Sequence, residues 1–140
     1  MIDEHSSVSG EAVITAQNKK YTNYLSGYVF YKSTIEAASS AMTSVYFGRP
    51  WGKYSTHILV DNTISAPIKA AGWIEFTPGT TDYLPTSTYA EYGSTGTGAA
   101  GYKAKTREEY VTYLTASEAN DYLPDTYLAG SDSWEPTTVD

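Results

Sequence analysis

The chain has 140 residues, a length that suffices for one domain with a sizeable core. Its formal net charge of −7 and its lack of a basic stripe argue against nucleic acid as a partner. No stretch approaches the roughly 18 consecutive apolar residues of a membrane-spanning helix, so no membrane partner is predicted. Cysteine is absent, and His5 and His57 stand apart from paired carboxylates, so neither a metal site nor a cofactor is predicted.

Short β-branched and aromatic segments dominate the chain and predict an all-β fold, which the 14 tyrosines also favour. Residues 1–11 are polar and acidic, which indicates a flexible lead-in without a signal peptide, ahead of one domain over residues 12–140. The strand predicted at residues 87–92 is expected to be the final one of the fold. We expect His57 to lie on the exposed face of its strand. The predicted strands cover residues 13–16, 28–35, 45–47, 57–60, 73–76 and 87–92.

The end of the chain predicts a short helical tail. The Thr-x-x-Glu pattern of a capping box occurs at residues 106–109 and again at residues 115–118. A helix over residues 117–122 would end before Pro124. Its apolar side would consist of Ala119, Tyr122 and Leu123. We expect this tail to pack along the strands.

Two pairs of short segments repeat at a spacing of 29 residues. The residues around Thr34 echo those around Thr63, and the residues around Val45 echo those around Ile74. A fixed period of this size is typical of a solenoid, in which each coil buries the face of its neighbour; a chance echo between β-rich segments is the alternative. The solenoid predicts parallel stacking of Thr34 on Thr63 and of Val45 on Ile74, with Tyr46 directed outward.

The segment Tyr-Phe-Gly-Arg-Pro-Trp over residues 46–51 is the most distinctive in the chain. Gly48 allows a turn without a Cβ clash, and Pro50 biases Arg49 towards an extended conformation. Arg49 offers a planar fork of donors that suits a carboxylate, and Trp51 offers a flat face on which a sugar ring can stack. The alternative is a plain Gly-Pro loop with a packed tryptophan and a solvated arginine.

This segment resembles the Gly-Arg-Pro-Trp signature of pectinesterases (pectin methylesterases). Further segments agree in the same chain order, with Phe76 in the place of the family's second tryptophan. They are Ile-Thr-Ala-Gln at residues 14–17, Gly-Trp-x-x-Phe at residues 72–76 and Glu-Tyr-x-x-x-Gly-x-Gly-Ala at residues 91–99. The resemblance implies a right-handed parallel β-helix, of which this chain would be the C-terminal half.

The resemblance also implies a mechanism. In the family, one aspartate attacks the methyl ester carbonyl of a galacturonate unit, a second acts as acid and then base, and glutamines stabilise the oxyanion. The family's arginine, which holds the nucleophilic aspartate ionised, corresponds to Arg49, and the tryptophan of its sugar subsite corresponds to Trp51. The aspartates have no counterpart, because in the family they precede the Ile-Thr-Ala-Gln strand and here only Asp3 does, in an unrelated context. Gln17 lies within that later strand and is not assigned to the oxyanion.

Two classes of function follow. The first is a secreted carbohydrate esterase fragment that would act on pectin (polygalacturonate) but is inactive alone, with an uncapped N-terminal end that favours self-association. The second is a non-catalytic β-solenoid that binds acidic polysaccharide or is structural. In-frame aspartate motifs in the upstream DNA would favour the first. The remaining acids have no recognisable catalytic setting and are expected to be solvated or structural: Asp61, Glu75, Asp82 and Glu91.

Overall fold

The computed structural model describes residues 11–129. Of the predicted lead-in, residues 1–10 lie outside this range, and Glu11 already belongs to the first strand. The strands are β1 (Glu11–Thr15), β2 (Tyr28–Tyr31), β3 (Thr34–Ile35), β4 (Ser44–Gly48), β5 (Thr56–Val60), β6 (Thr63–Ile64), β7 (Thr88–Tyr92) and β8 (Val111–Tyr113). The short helices are α1 (Ala100–Ala104), α2 (Ala116–Ala119) and α3 (Pro124–Tyr127), with 3₁₀ turns at Leu84–Thr86, Thr97–Ala99 and Asn120–Tyr122.

The strands of the described range form three parallel sheets. The chain contributes one strand to each sheet in turn from β1 to β3, and again from β4 to β6. The sheets have the orders β1-β4, β2-β5-β7-β8 and β3-β6. From β1 to β7, successive strands do not pair with each other, and each of the first three pairs with the strand three places later; β7 and β8 are successive strands that do pair. Thr34 lies opposite Thr63, as the 29-residue repeat predicts, and Tyr28 lies opposite His57 at the same spacing.

The second predicted stacking is wrong. Val45 forms its parallel bridge with Ile68 and Gly48 forms one with Trp73, so Ile74 is not the partner of Val45. The segment leading to Trp73 runs alongside β4, since the main-chain nitrogen of Phe47 donates to the carbonyl of Gly72 at 2.7 Å. Of the predicted strand over residues 73–76, only Trp73 pairs, through its bridge with Gly48.

Each of three neighbouring strands in the four-stranded sheet is followed by a residue with a left-handed backbone conformation. Lys32 (φ 48°), Asp61 (φ 55°) and Gly93 (φ 66°) directly follow β2, β5 and β7. The corner at Lys32 divides the predicted strand over residues 28–35 into β2 and β3. Since only glycine adopts such angles without cost, the non-glycine corners need support from their surroundings.

Asn62 supplies that support from a fully buried position inside the corner. Its Oδ1 accepts from the main-chain nitrogen of Ser33 at 2.8 Å, and its Nδ2 donates to the carbonyl of Phe30 at 2.9 Å. The side chain thus joins its own corner to the preceding one. Both main-chain groups would lose this partner if the amide were removed.

Asn62→Ala is expected to lower the free energy of unfolding by about 2 kcal/mol, because it removes two hydrogen bonds from the corner. Thr63→Ala changes the adjacent exposed residue and should cost no more than about 0.5 kcal/mol. Urea denaturation of both variants measures the difference. Equal losses would show that the Asn62 amide does not hold the corner.

Strand β5 is buried along its whole length because both faces of the four-stranded sheet are covered. Leu59 belongs to the larger core cluster, which also contains Phe47, Trp73 and Tyr89. On the other face, Ile58 and Val60 pack with Ala90 of β7 and with three residues of the C-terminal segment, Ala119, Tyr122 and Leu123. The predicted packing of the tail along the strands is thereby confirmed.

The details of the tail differ from the prediction. The capping box at Thr115 and Glu118 is present and begins α2, but that helix ends at Ala119 and a 3₁₀ turn follows. No helix begins at residue 106, since the main-chain nitrogen of Arg107 donates instead to the hydroxyl of Tyr113 at 2.9 Å. The final strand of the described range is β8, not residues 87–92.

His57 is buried in β5, 1% exposed, which corrects the surface position predicted for it. Its Nδ1 lies 3.1 Å from Oγ1 of Thr15. The rings of Phe30, Trp73 and Phe47 lie 4.7, 5.9 and 6.5 Å from the imidazole, centre to centre. Burial lowers the pKa of His57 from its ordinary value of 6.5 to about 3, so the folded chain keeps it neutral at mildly acidic pH.

The stability of the fold should therefore fall as the pH drops below 6.5. Because the pKa of His57 is about 3 when folded and 6.5 when unfolded, the unfolded chain binds more protons throughout that interval. We expect His57 to contribute a loss of about 1.4 kcal/mol per pH unit, complete near pH 3. Urea melts between about pH 7 and 5 in a His5→Gln background measure this slope. A His57→Phe variant should lack it, and an unchanged slope in that variant would refute the assignment.

Candidate active-site loop and groove

The loop after β4 carries Arg49 and Trp51, and main-chain hydrogen bonds attach it to the chain after β1. The nitrogens of Arg49, Gly52 and Tyr54 donate to the carbonyls of Thr15, Gln17 and Lys19 at 3.0, 3.0 and 2.9 Å. These bonds continue the parallel pairing of β1 with β4 beyond both strands. The loop is thus a fixed extension of the sheet.

Two glycines permit this close approach. A Cβ on Gly52 would lie 2.5 Å from main-chain atoms of Lys19, and a Cβ on Gly48 would lie 2.5 Å from Oγ1 of Thr15. Neither glycine has a positive φ, so close packing and not the turn itself requires them. Pro50 between them is buried.

Arg49 and Trp51 meet at the ring of Phe76. The guanidinium carbon of Arg49 lies 4.9 Å from the centre of that ring, and the indole of Trp51 stacks parallel to it at 6.1 Å with an interplanar angle of 4°. Arg49 is exposed and Trp51 is 54% exposed. Within residues 11–129, Arg49 makes no salt bridge. We call these three residues the Arg49 cluster; it presents a cation and a flat ring on one surface.

The outer face of β4 next to this cluster is acidic. Burial, Glu11 and Glu75 raise the pKa of the Tyr46 hydroxyl above its ordinary value. Burial also raises the pKa of Glu108, with Glu109 and Glu75 adding to the shift. The side chain of Tyr46 points outward as predicted, while Val45 and Phe47 on either side are fully buried.

A groove of about 330 Å³ borders Trp51. Three exposed aromatic side chains line it, together with two exposed lysines and the polar Asn18. They are Tyr21, Trp51, Tyr83, Lys20 and Lys53. No Asp or Glu is among the lining residues of the described chain. We call this the lysine–aromatic groove.

Gln17 is engaged in holding the fold. Its Oε1 accepts from the main-chain nitrogen of Thr56 at 2.6 Å, and its Nε2 lies 3.5 Å from Oγ of Ser26. The amide therefore ties the chain after β1 to the start of β5.

Glu91 forms a buried ion pair with Arg107, a partner that the sequence did not predict. Both side chains have 0% exposure, and Arg107 Nε and Nη2 donate to the two carboxylate oxygens at 2.8 and 3.2 Å. The remaining guanidinium donors bind the carbonyls of Lys69, Ala70 and Gly98 at 3.2–3.4 Å. A charged residue in the apolar run of β7 was the signal that a cationic partner was needed.

Two further classes of site find no support in the described range. Within residues 11–129, no group of three or more His, Asp or Glu side chains is arranged to hold a metal ion. No helix among these residues is long and apolar enough to cross a membrane.

Comparison with known proteins identifies the family. The sequence profile of the pectinesterase family matches residues 2–131. The chain belongs to the pectinesterase family. It is 33% identical to Pectinesterase 1 of Arabidopsis thaliana over 125 residues, which is 89% of this chain and 21% of that protein. It is 32% identical to the pectinesterase of Daucus carota over 132 residues, covering 91% of this chain and 40% of the carrot protein.

Solved pectin methylesterases have a similar fold. The carrot enzyme superposes with a TM-score of 0.76 at 31% identity, over 89% of this chain and 40% of that one. The Aspergillus niger enzyme gives 0.66 at 27% identity, over 85% and 36%. This pectinesterase chain thus spans between about a fifth and two fifths of the length of these relatives.

Proposed function

We propose that the chain is the part of a pectinesterase that supplies the arginine and the stacking tryptophan of the active site, within a right-handed parallel β-helix. The helical winding is supported by the order in which the chain visits three parallel sheets. It is also supported by the superposition on two pectin methylesterases. The Arg49 cluster is the observation that carries the functional proposal.

The proposed substrate is the methyl ester of a polygalacturonate chain. Arg49 binds and orients the carboxylate of an attacking aspartate, because a guanidinium offers two parallel donors to one carboxylate and keeps it ionised. Trp51 stacks on the sugar ring that carries the ester. Among residues 11–129, no carboxylate forms a salt bridge with Arg49, whose guanidinium lies over the ring of Phe76. The chain alone therefore releases no methanol from pectin.

The proposal extends to location and assembly. A pectin substrate places the protein outside the cell, in contact with cell-wall polysaccharide. Each of β1, β2 and β3 pairs on one side only among the described strands, so one end of all three sheets presents unpaired main-chain groups. That end is where the aspartate-bearing part of a complete enzyme would stack. Without it, the same edges favour self-association.

The test uses a chimera in which this chain replaces the matching part of the carrot pectin methylesterase. Methanol release from highly esterified pectin is measured for the chimera, for the carrot enzyme and for the 140-residue chain. We expect release by the chimera and none above the spontaneous rate by the chain. Release by the chain alone would mean that its own carboxylates are catalytic. A folded but inactive chimera would favour the non-catalytic polysaccharide-binding alternative.

A further inference from the structure

We infer that His57 and Thr15 are positioning residues for Arg49. The buried imidazole, fixed in its Nδ1–H tautomer, holds the hydroxyl of Thr15, and Thr15 in turn holds the backbone on both sides of Gly48, the residue that precedes the arginine. The inference rests on the proposed function, since it assigns to these two residues the aim of the arginine of the same site. Both belong to strands, and neither is part of the Arg49 cluster.

Thr15 holds the end of β4 from two directions. Its hydroxyl donates to the carbonyl of Phe47 at 2.9 Å, and its own carbonyl accepts from the main-chain nitrogen of Arg49 at 3.0 Å. Gly48 lies between these two bonds and opposite Thr15 in the pairing of β1 with β4. A glycine has more backbone freedom than any other residue, so the two bonds restrict the direction in which the chain leaves β4 towards Arg49.

The hydrogen bonds of Thr15 determine the tautomer of His57. A threonine hydroxyl has one hydrogen to donate and two lone pairs with which to accept. Since that hydrogen goes to the carbonyl of Phe47, the Nδ1 atom of His57 at 3.1 Å can complete the contact only as a donor. In the other tautomer, Nδ1 would be an acceptor and would compete with the Phe47 carbonyl for the hydrogen of Thr15.

The surroundings of the imidazole favour the same tautomer. The Nε2 atom of His57 is buried and has no hydrogen-bond partner within residues 11–129. A buried lone pair without a partner is tolerated more readily than a buried N–H group without one. The rings of Phe30 and Trp73 meet the imidazole at interplanar angles of 71° and 78°, and these edge-to-face contacts hold its orientation.

The contact joins two sheets of the fold. Thr15 belongs to the sheet of β1 and β4, whereas His57 belongs to β5 of the four-stranded sheet. A second connection lies beside it, because the side chain of Gln17 accepts from the main-chain nitrogen of Thr56 at 2.6 Å. The loop of Arg49 is thereby positioned from the core. Displacement of an active-site group by about 1 Å can lower a rate by about a hundred-fold, so this support bears on catalysis.

NMR spectroscopy of the 140-residue chain tests the arrangement without reference to activity. Long-range proton–nitrogen correlations at neutral pH should show a proton on Nδ1 of His57 and none on Nε2. Thr15→Val keeps the shape of the side chain without its hydroxyl. It should make hydrogen exchange at the Arg49 amide about ten-fold faster, the effect of about one lost hydrogen bond. The amide of Tyr54, which is bonded to Lys19, is the internal control and should not change.

Kinetics of the chimera with the carrot enzyme test the consequence for the site. We expect Thr15→Val and His57→Phe to lower kcat about ten-fold and to change KM by less than about two-fold, because the aim of Arg49 affects the reacting groups and not the binding of the sugar. Thr15→Ser restores the hydroxyl and should recover kcat to within about two-fold of wild type. The control Thr115→Ala removes the N-cap of α2, loses a comparable amount of stability and should leave kcat unchanged.

A proton on Nε2 of His57 would overturn the inference, as would an Arg49 amide whose exchange is the same in Thr15→Val and wild type. In an active chimera, it would also be overturned by a kcat that Thr15→Val leaves unchanged, that Thr115→Ala lowers equally or that Thr15→Ser does not recover. An inactive wild-type chimera would instead contradict the proposed function. The NMR measurements on the 140-residue chain would then decide by themselves whether His57 and Thr15 position the loop.

Discussion

Arg49→Ala in the chimera with the carrot enzyme is expected to lower kcat for methyl-esterified pectin by about a hundred-fold or more. The reason is electrostatic: a bidentate guanidinium holds the attacking aspartate ionised and aimed, and its removal leaves that carboxylate protonated over more of the working pH range. Loss of one well-placed charged or polar group from an active site typically has an effect of about this size.

The pH profile separates this role from a structural one. An arginine beside a carboxylate lowers its pKa by about 1–3 units, so Arg49→Ala should move the acid limb of the kcat/KM profile to higher pH by a similar amount. Arg49→Lys keeps the charge without the fork and should recover part of the rate. A fall in rate with no movement of the acid limb would contradict the role assigned to Arg49.

Folding should be little affected by the same substitution. Arg49 is exposed, and its described side-chain contact is the ring of Phe76, a cation–π interaction worth about 0.5–1 kcal/mol at such sites. The melting temperature of the chimera should therefore fall by no more than about 4 °C. A Lys103→Ala variant, which removes an exposed cation outside the cluster, provides the control for charge.

Glu91→Gln is expected to lower the free energy of unfolding by about 3–5 kcal/mol, the largest stability effect that the structure predicts. The substitution leaves the guanidinium of Arg107 buried without its counter-charge and directs an amide N–H group at its donors. A domain has a total stability of about 5–15 kcal/mol, so the variant should lose a large share of it. Urea denaturation of the 140-residue chain measures the loss.

A double variant shows how the ion pair acts. Glu91→Leu/Arg107→Met removes both charges and should be less destabilised than the sum of the two single variants, since no buried charge is left alone. It should still be less stable than wild type, because the carbonyls of Lys69, Ala70 and Gly98 lose their donor. Additive losses would indicate that Glu91 and Arg107 contribute independently.

The 29-residue repeat predicted strand pairing correctly where one circuit of the three sheets takes 29 residues. Thr34 and Thr63 are separated by 29 residues and pair, because the chain makes one circuit of the three sheets between them. The echo between Val45 and Ile74 has the same spacing, yet Val45 meets Ile68, since the chain returns to β4 by a shorter path. Residue spacing alone does not reveal where a loop is short.

His57 illustrates a second limit. In a strand, alternate side chains point to opposite faces, so His57 and Leu59 share one face of β5 and Ile58 and Val60 share the other. If Ile58 and Val60 face the core, His57 is expected to face the solvent. The C-terminal segment covers the face of Ile58 and Val60, so the face of His57 is the one that meets the larger core. Burial on both faces cannot be inferred from one strand, because the covering residues lie far away in the chain.

The candidate site was predictable in part. The Gly-Arg-Pro-Trp segment indicated Arg49 and Trp51 because Pro50 between them restricts the backbone, and the structure brings both to Phe76. Lys20 and Tyr83 gave no sequence signal, since an exposed lysine and an exposed tyrosine are common on any surface. Lys20 and Tyr83 line the same groove only because the fold brings their separate loops together.

The most direct test of the central claim is a crystal structure of the chimera. If this chain supplies the arginine of a pectinesterase site, the guanidinium of Arg49 will lie about 3 Å from both oxygens of an aspartate in the carrot part, with Trp51 facing the same cleft. A guanidinium that remains on Phe76, more than about 6 Å from every aspartate of the carrot part, would contradict the claim.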